Sequence, residues 1–567
     1  MIYNGEIYNY RTLRNDLTSE GWQFKTTSDA EVLLQGFQAW GLEVFRRARG
    51  MWAVAFWEPD AQRLTLARDP LGKKPLIYFA ERDRIVFASN AAALLSLLDH
   101  TPAIDQDALD CYLGHLCIPQ EHSIFQGVRK VQPGTALIWE ANGRTESRKY
   151  WNPPQQPDLT VGYADAVDET ERLLRESVRR RLESDVPLGV FLSAGYDSGV
   201  VAALAAQESG RALVAVTAGT TGSGYDERGP AALIAERYGL SHRPLEVDPL
   251  SATALPQLIA ELGEPFGDSS LLPSYQVARA ARREITVALT GDGGDEGFFG
   301  YETFRGVWLA EKYRHVVPKP VRDWLWKWNH SRTANGWRRG AEAILEYGRL
   351  DLAFSFRNRM GFSEEQRRRL LPRAGNGNAH FAEHIYAQRL RSHAQLPDAD
   401  ALRRTLLETY LPNDYLAKVD TATMAASLEA RCPFLDIDLI EFLLRLPEST
   451  LFAGGRLKDM LRPLARRFLP QELVNRRKTG FGVPVASWLH TSLIDAFDTF
   501  VLRPGTSMSE LIDQDASRRY FLEHARGADH STRLWGLLAL GVWAAVILDR
   551  TWKATDPLPV ALATVRS

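Results

Sequence analysis

Hydrophobic and polar positions follow one rhythm in the first quarter of the chain and another after it. Met51 to Trp57 is continuously apolar, Arg63 to Arg68 alternates, and Leu76 to Phe79 and Arg84 to Ser89 are further short β-compatible runs. Pro59-Asp60 marks a turn, whereas Ala30 to Trp40 repeats at helical spacing. Strands with helices beside them predict an α+β unit over residues 1–150. The Pro-rich stretch Trp151 to Pro157 suits a linker, expected over 151–160, because proline stiffens the chain and removes ladder donors.

From 161 to 567 the pattern changes. Gly189 to Leu192 reads as a buried strand and Ala212 to Ala218, Arg243 to Val247 and Ile285 to Thr290 as further strands, with helices over Val200 to Gln207 and Glu227 to Tyr238. Such alternation predicts an α/β unit, a parallel sheet with helices on both faces, and ligands beyond the carboxyl ends of its strands. Residues 303–400 and 485–567 read as helical additions.

Composition narrows the class. With 68 Lys+Arg against 70 Asp+Glu the net charge is -2, so no nucleic-acid or anionic-membrane partner is expected. Three cysteines make no disulfide framework and predict a reducing, cytoplasmic setting. No signal peptide is read at the N-terminus. The apolar run Leu534 to Leu548 falls short of the ~20 residues of a spanning helix and reads as a buried one. The twelve histidines show no metal-ligand spacing.

Two loops carry chemistry. Ser193-Ala194-Gly195-Tyr196-Asp197-Ser198-Gly199 follows a strand and opens a helix. Small residues there let backbone amides approach phosphate oxygens, and the helix N-terminus adds positive potential. Ser193 and Ser198 offer hydroxyls, and Asp197 a ligand for Mg²⁺. It lacks the lysine of a P-loop. The bland alternative is an ordinary capped turn. Thr290-Gly291-Asp292-Gly293-Gly294-Asp295-Glu296 follows another strand and sets three carboxylates among glycines. Acidic groups beside a polyphosphate repel unless a divalent cation lies between. Together the loops favour nucleotide chemistry over two solvated turns.

In this order they resemble the glutamine-hydrolysing asparagine synthetase family. Further stretches similar to that family are Asn4 to Tyr10, Ser28 to Glu31, Arg68 to Leu76, Gly224 to Glu227, Glu264 to Phe266, Lys418 to Asp420, Glu429 to Arg431 and Arg477 to Pro484. The resemblance implies an Ntn-hydrolase-like amidotransferase half, with Asn4, Gly5, Glu6 and Asp29 on glutamine, and a PP-loop ATP pyrophosphatase half. ATP would lie on Leu192, Ser193, Gly195, Asp197, Ser198, Ala218, Thr290 and Gly291, with Mg²⁺ on Asp197 and Asp295. Aspartate would be adenylated and then attacked by ammonia. Lys478 would stabilise phosphate charge, and Asp292 would assist adenylation and accept the ammonia proton. A homodimer is left open. Four of these residues also have bland readings. Asn4-Gly5 favours a hairpin turn, Asp29 could cap the helix from Ala30, and Lys478 could be a solvated helix-end lysine.

The chain departs from the family in two places. Ala194 and Gly199 replace a Gly and a Ser of the phosphate loop, so Gly199 is expected to lose a hydroxyl donor. The family also opens Met-Cys-Gly, with the cysteine as glutaminase nucleophile, where this chain has Ile2. The expectation is an incomplete or nucleophile-free glutaminase half, with free ammonia as nitrogen source. Competing readings are a relative amidating another carboxylate (a polysaccharide sugar, a β-lactam precursor or a cyclising peptide), a tRNA-modifying enzyme, and a nucleotide binder without chemistry. The tRNA enzyme would show a basic face and paired cysteines.

Overall fold

The computed structural model describes residues 1–219, 226–246, 249–330, 361–371, 381–474 and 483–559. Its strands are β1 Ile2–Ile7, β2 Gly50–Glu58, β3 Arg63–Arg68, β4 Ile77–Ala80, β5 Ile85–Ala88, β6 Val128–Lys130, β7 Thr135–Glu140, β8 Thr145–Lys149, β9 Leu188–Phe191, β10 Val214–Gly219, β11 Ser241–Glu246, β12 Val287–Leu289 and β13 Glu429–Arg431.

The first layer is an antiparallel sheet in the order β1-β2-β3-β7-β8, and β5-β4-β6 form a smaller antiparallel sheet. One face of the larger sheet, with Trp52, Val54 and Phe56, packs on Leu13, Leu17, Val32 and Leu33 of the helices Tyr10–Ser19 and Asp29–Trp40. The other face, with Ala53, Ala55 and Leu66, packs on Leu76 and Val131 beside the smaller sheet. Burial on both faces is why Met51 to Trp57 reads as an unbroken apolar run rather than an alternating one.

Asn4 and Gly5 are not a hairpin turn. They sit inside β1, with Gly5 opposite Trp52, and a Cβ on Gly5 would lie 2.0 Å from the Met51 carbonyl oxygen. The dipeptide is there because two backbones approach too closely for a side chain, at a φ of +149°.

The second sheet is wholly parallel, in the order β11-β10-β9-β12-β13. From β9 the chain steps outward through β10 to β11, then returns to place β12 on the opposite side of β9. That reversal makes a switch point, where the loops after β9 and β12 diverge and leave a crevice. Helices Tyr163–Arg181, Tyr196–Ser209 and Arg228–Tyr238 cover one face through Leu174, Val201, Leu204 and Ile234. The other face, with Val216 and Ala288, packs on Val277 and Ala281.

Helix Ser531–Trp543 and the π-type turn Ala544–Leu548 complete a third, helical core. This segment is long and apolar enough to cross a membrane, yet Leu534 through Ala544 are buried inside the protein. The helix Gln106–His115 from the first part of the chain joins the same core, with the Tyr112 hydroxyl donating to the Gly536 carbonyl at 2.7 Å.

Candidate active site

The loop after β9 folds on its own hydroxyls. The Ser193 and Ser198 hydroxyls lie 2.6 Å apart, the Ser193 amide donates to Ser198 Oγ at 3.0 Å, and the Gly195 amide donates to Ser193 Oγ at 3.1 Å. Gly195 is the N-cap of helix Tyr196–Ser209 and supplies no side-chain cap, so this end keeps the donor-rich character of an anion-facing terminus. Ala194 is absent from the positive-φ residues, so its methyl brings no backbone strain. Gly199 corrects an expectation. A Cβ there would meet Leu469 Cδ2 at 2.8 Å and Ile234 Cδ1 at 3.1 Å, so this position faces the core, and no phosphate donor is lost by its being glycine.

The loop after β12 lies against the first. A Cβ on Gly291 would come 2.6 Å from the Ser198 amide nitrogen, and one on Gly294 would come 2.7 Å from the Asp197 carboxylate. Glycine is what lets the loops touch. Thr290 is buried, its amide donating to the Arg431 carbonyl at 2.9 Å. Leu192 is buried just past β9, and Ala218 lies in the neighbouring strand β10.

Asp197 and Asp295 meet through a residue that sequence reasoning missed. The Lys458 ammonium pairs with Asp197 and, at 2.7 Å, with Asp295. Burial works against that charge, but the two carboxylates outweigh it and hold Lys458 well above the ordinary lysine value. Lys458 sits just past a Gly-rich turn and carries no motif, which is why spacing did not find it. Two carboxylates converging on one point are the hard-oxygen donor set suited to Mg²⁺, which ordinarily takes one or two carboxylates and completes its shell with phosphate and water oxygens. Among the described residues no group of three or more His, Cys, Asp or Glu is placed to hold a metal. Next to Asp295, Glu296 is raised to about 7 by burial and by Asp295, against the opposing hydrogen bond from Tyr301.

Asp292 is held from three directions. Its Oδ2 accepts from Thr290 Oγ1 at 2.7 Å and from Cys432 Sγ at 3.7 Å, and its Oδ1 accepts from the Tyr415 hydroxyl at 2.9 Å. Lys478 lies outside the described residues.

In the first half, Asn4, Gly5 and Glu6 share β1, and Asp29 is brought beside them. Its Oδ2 accepts from the Tyr3 hydroxyl at 2.7 Å and from the Ile7 amide at 2.9 Å. The helix cap is Ser28, accepting from the Ala30 amide at 3.1 Å, so Asp29 ties the helix to the strand rather than capping it. Glu6 reaches across to Arg431 on β13 at 3.2 Å. Burial, Glu429 and Asp29 raise Glu6 to about 7 although Arg431 opposes them. Other family-like stretches also become joints between the halves. Lys74 pairs with Asp420 at 3.0 Å, and Lys130 with Glu264 at 2.7 Å. Between the halves lies a small cleft with Tyr8, Lys73, Arg181 and Cys432 in its wall.

The antiparallel layer and the parallel sheet with its paired strand-end loops make a two-part chain, and each part matches a family model. Residues 1–151 match the family model described as glutamine amidotransferase domain, and residues 169–545 match that described as asparagine synthase. The chain belongs to the asparagine synthase family. It is 33% identical to a Mycobacterium tuberculosis (strain ATCC 25618 / H37Rv) protein named putative asparagine synthetase (glutamine-hydrolyzing), across 97% of this chain and 85% of that one. It is 29% identical to asparagine synthetase (glutamine-hydrolyzing) 1 of Bacillus subtilis (strain 168), across 98% and 87%. It is also 25% identical to amidase chry2 of Gibberella zeae (strain ATCC MYA-4620 / CBS 123657 / FGSC 9075 / NRRL 31084 / PH-1), across 91% and 82%.

Proposed function

We propose that the chain is an ATP-dependent ligase that converts aspartate to asparagine through a β-aspartyl-AMP intermediate. The division is an Ntn-hydrolase-like unit at 1–150, a linker at 151–160 and an adenylating unit at 161–567. The observation that carries the reading is the convergence of Asp197 and Asp295, from two strand-end loops at the switch point, on the single Lys458 ammonium.

ATP lies along the first loop, with Ser193, Gly195 and Ser198 around the phosphates. Leu192, Ala218, Thr290 and Gly291 supply backbone contacts to base and sugar. Asp197 and Asp295 hold Mg²⁺, which when bound neutralises phosphate charge. The aspartate side-chain carboxylate attacks the α-phosphate and pyrophosphate leaves. Lys458, beside both metal carboxylates, and Lys478 offset the charge that develops on the phosphates. Asp292 assists adenylation and takes the proton of the attacking ammonia.

Asn4, Gly5, Glu6 and Asp29 belong to glutamine in the first half. We assign free ammonia as the nitrogen source of a polypeptide of these residues. Its three cysteines are buried, and burial pushes their thiols up, which suppresses the thiolate a glutaminase needs. Asparagine is expected from aspartate, ATP and ammonium, and none from glutamine. Glutamine-driven product from this polypeptide would overturn the nitrogen assignment. Asp197→Ala is expected to abolish aspartate-dependent pyrophosphate release, and retained release would overturn the metal assignment. A different acceptor carboxylate is the second reading, supported by the relative named an amidase. An acceptor panel scored by pyrophosphate release decides between them.

A further inference from the structure

We propose that Tyr415 is the positioning residue for Asp292, holding one carboxylate oxygen so that the carboxylate faces the attacking nitrogen in a single orientation. This rests on the reading of Asp292 as proton acceptor. In that step the nitrogen lone pair forms the C–N bond, the bond from carbonyl carbon to phosphate oxygen breaks, and AMP leaves with the electron pair. The proton shed by nitrogen goes to Asp292.

A carboxylate on a glycine-rich loop would rotate about χ2 unless both oxygens were engaged. Here Thr290 Oγ1 fixes Oδ2 at 2.7 Å from within the loop, and Tyr415 fixes Oδ1 at 2.9 Å from outside it. Tyr415 is built to stay put. It closes the π-type turn Leu411–Tyr415, a rare geometry that displaces one residue from the helical register, before helix Leu416–Ala425 resumes. Its ring lies under the Lys418 ammonium at 4.5 Å, and Lys418 is anchored in turn by Asp268 at 2.8 Å.

Burial and the neighbouring Asp292 raise the phenol well above its ordinary value, so Tyr415 is a donor to Asp292 and not a competing base. The other charged or titratable neighbours of Asp292 are Lys73 from the first half, Lys418, Glu296 and the Cys432 thiol. Among the described side chains that bond Asp292, Thr290 lies in its own loop and Cys432 follows β13, whereas Tyr415 comes from the helical segment between β12 and β13. That segment thereby reaches the proposed reacting centre through the Tyr415 hydroxyl.

Tyr415→Phe keeps the ring and deletes the donor. A hydrogen bond to a charged group is worth about tenfold or more in rate when its loss is felt in the transition state. The expected result is at least about a tenfold fall in kcat for asparagine formation with the KM for ammonium unchanged, and a smaller fall in pyrophosphate release. In an Asp292→Asn background the same change is expected to cost nothing further. Independent, multiplying losses would overturn the proposal. A second form of the protein, with 3-fluorotyrosine at 415, preserves packing and strengthens the donor, so it should keep the activity that Phe loses.

One readout needs no turnover. The Asp292 carboxyl carbon resonance in ¹³C-aspartate-labelled protein, identified by its disappearance in Asp292→Asn, should move on Tyr415→Phe. An unmoved resonance overturns the positioning role. A moved resonance in a protein that releases no pyrophosphate with aspartate would instead overturn the proposed reaction and leave Tyr415 standing.

Discussion

Lys458 shows how much one side chain can decide. Its ammonium is the counter-charge that lets Asp197 and Asp295 sit together with little water. Lys458→Met leaves two carboxylates facing each other, and breaking a buried pair from one side costs ~3–5 kcal/mol. A loss of that order is expected in urea unfolding of the metal-free protein, with a large part restored by millimolar Mg²⁺ in the variant and little gained in the wild type. A variant indifferent to Mg²⁺ would mean that the carboxylates do not share a cation site. Gly291 is the companion case. Its missing Cβ leaves 2.6 Å to the Ser198 amide, so Gly291→Ala must push the two loops apart. Aspartate-dependent pyrophosphate release is expected to fall by about a hundredfold while the circular dichroism spectrum is kept, the scale of losing electrostatic placement at a reacting centre.

At the level of elements, β1 depends on the same kind of close approach. Gly5→Ala would drive a methyl into the Met51 carbonyl at 2.0 Å and hold alanine at a φ of +149°. The expected cost is roughly 2–3 kcal/mol, seen as early hydrogen exchange of β1 and β2 amides, with β9 to β13 unaffected. What was legible in the sequence follows from where each element finds its partners. Arg63–Arg68 is recovered residue for residue, because its alternation and the flanking turn are local. β2 was legible as a strand although it does not alternate, because a strand covered on both faces reads as one apolar run. β13 showed no strand pattern, being three residues, Glu429, Ala430 and Arg431, made a strand only by pairing with β12. The metal and adenylation candidates Asp197, Asp292 and Asp295 were legible because a strand, small residues and acids adjoin in sequence. Lys458 and Tyr415 were not, since each reaches the site only through tertiary packing, one from a turn and the other from a π-type turn.

Across the whole molecule the two halves are joined by charge as well as packing. Lys74–Asp420 at 3.0 Å, Arg49–Asp438 at 2.7 Å, Lys130–Glu264 at 2.7 Å and Glu6–Arg431 at 3.2 Å cross the seam. Ionisable groups buried at this seam and elsewhere in the protein make stability depend on pH, and the sign follows from the shifts. Burial, chiefly, raises Asp414 from 3.8 to about 7, and Glu6 and Glu448 from 4.5 to about 7. In each the folded form binds the proton more tightly than the unfolded chain. Folding therefore takes up protons between the two values, and stability falls as pH rises through that window. Asp268 and Asp400 are lowered, burial opposing their charge and Lys418 or Arg403 and Arg404 outweighing it. They add stability above the ordinary aspartate value of 3.8 that is lost only at more acidic pH. Burial lowers His122 and His242 below 6.5, so these two favour folding as pH rises past their range and oppose the carboxyls there. Asp414→Asn isolates one contribution from this sum. Asp414 is fully buried, and its shift corresponds to roughly 4 kcal/mol at most. The difference in unfolding free energy between wild type and Asp414→Asn is expected to change steadily between pH 4 and about 7, the wild type losing ground as pH rises, and to be flat above that range. A difference independent of pH would show that Asp414 titrates as an ordinary carboxyl, and that its surroundings hold water.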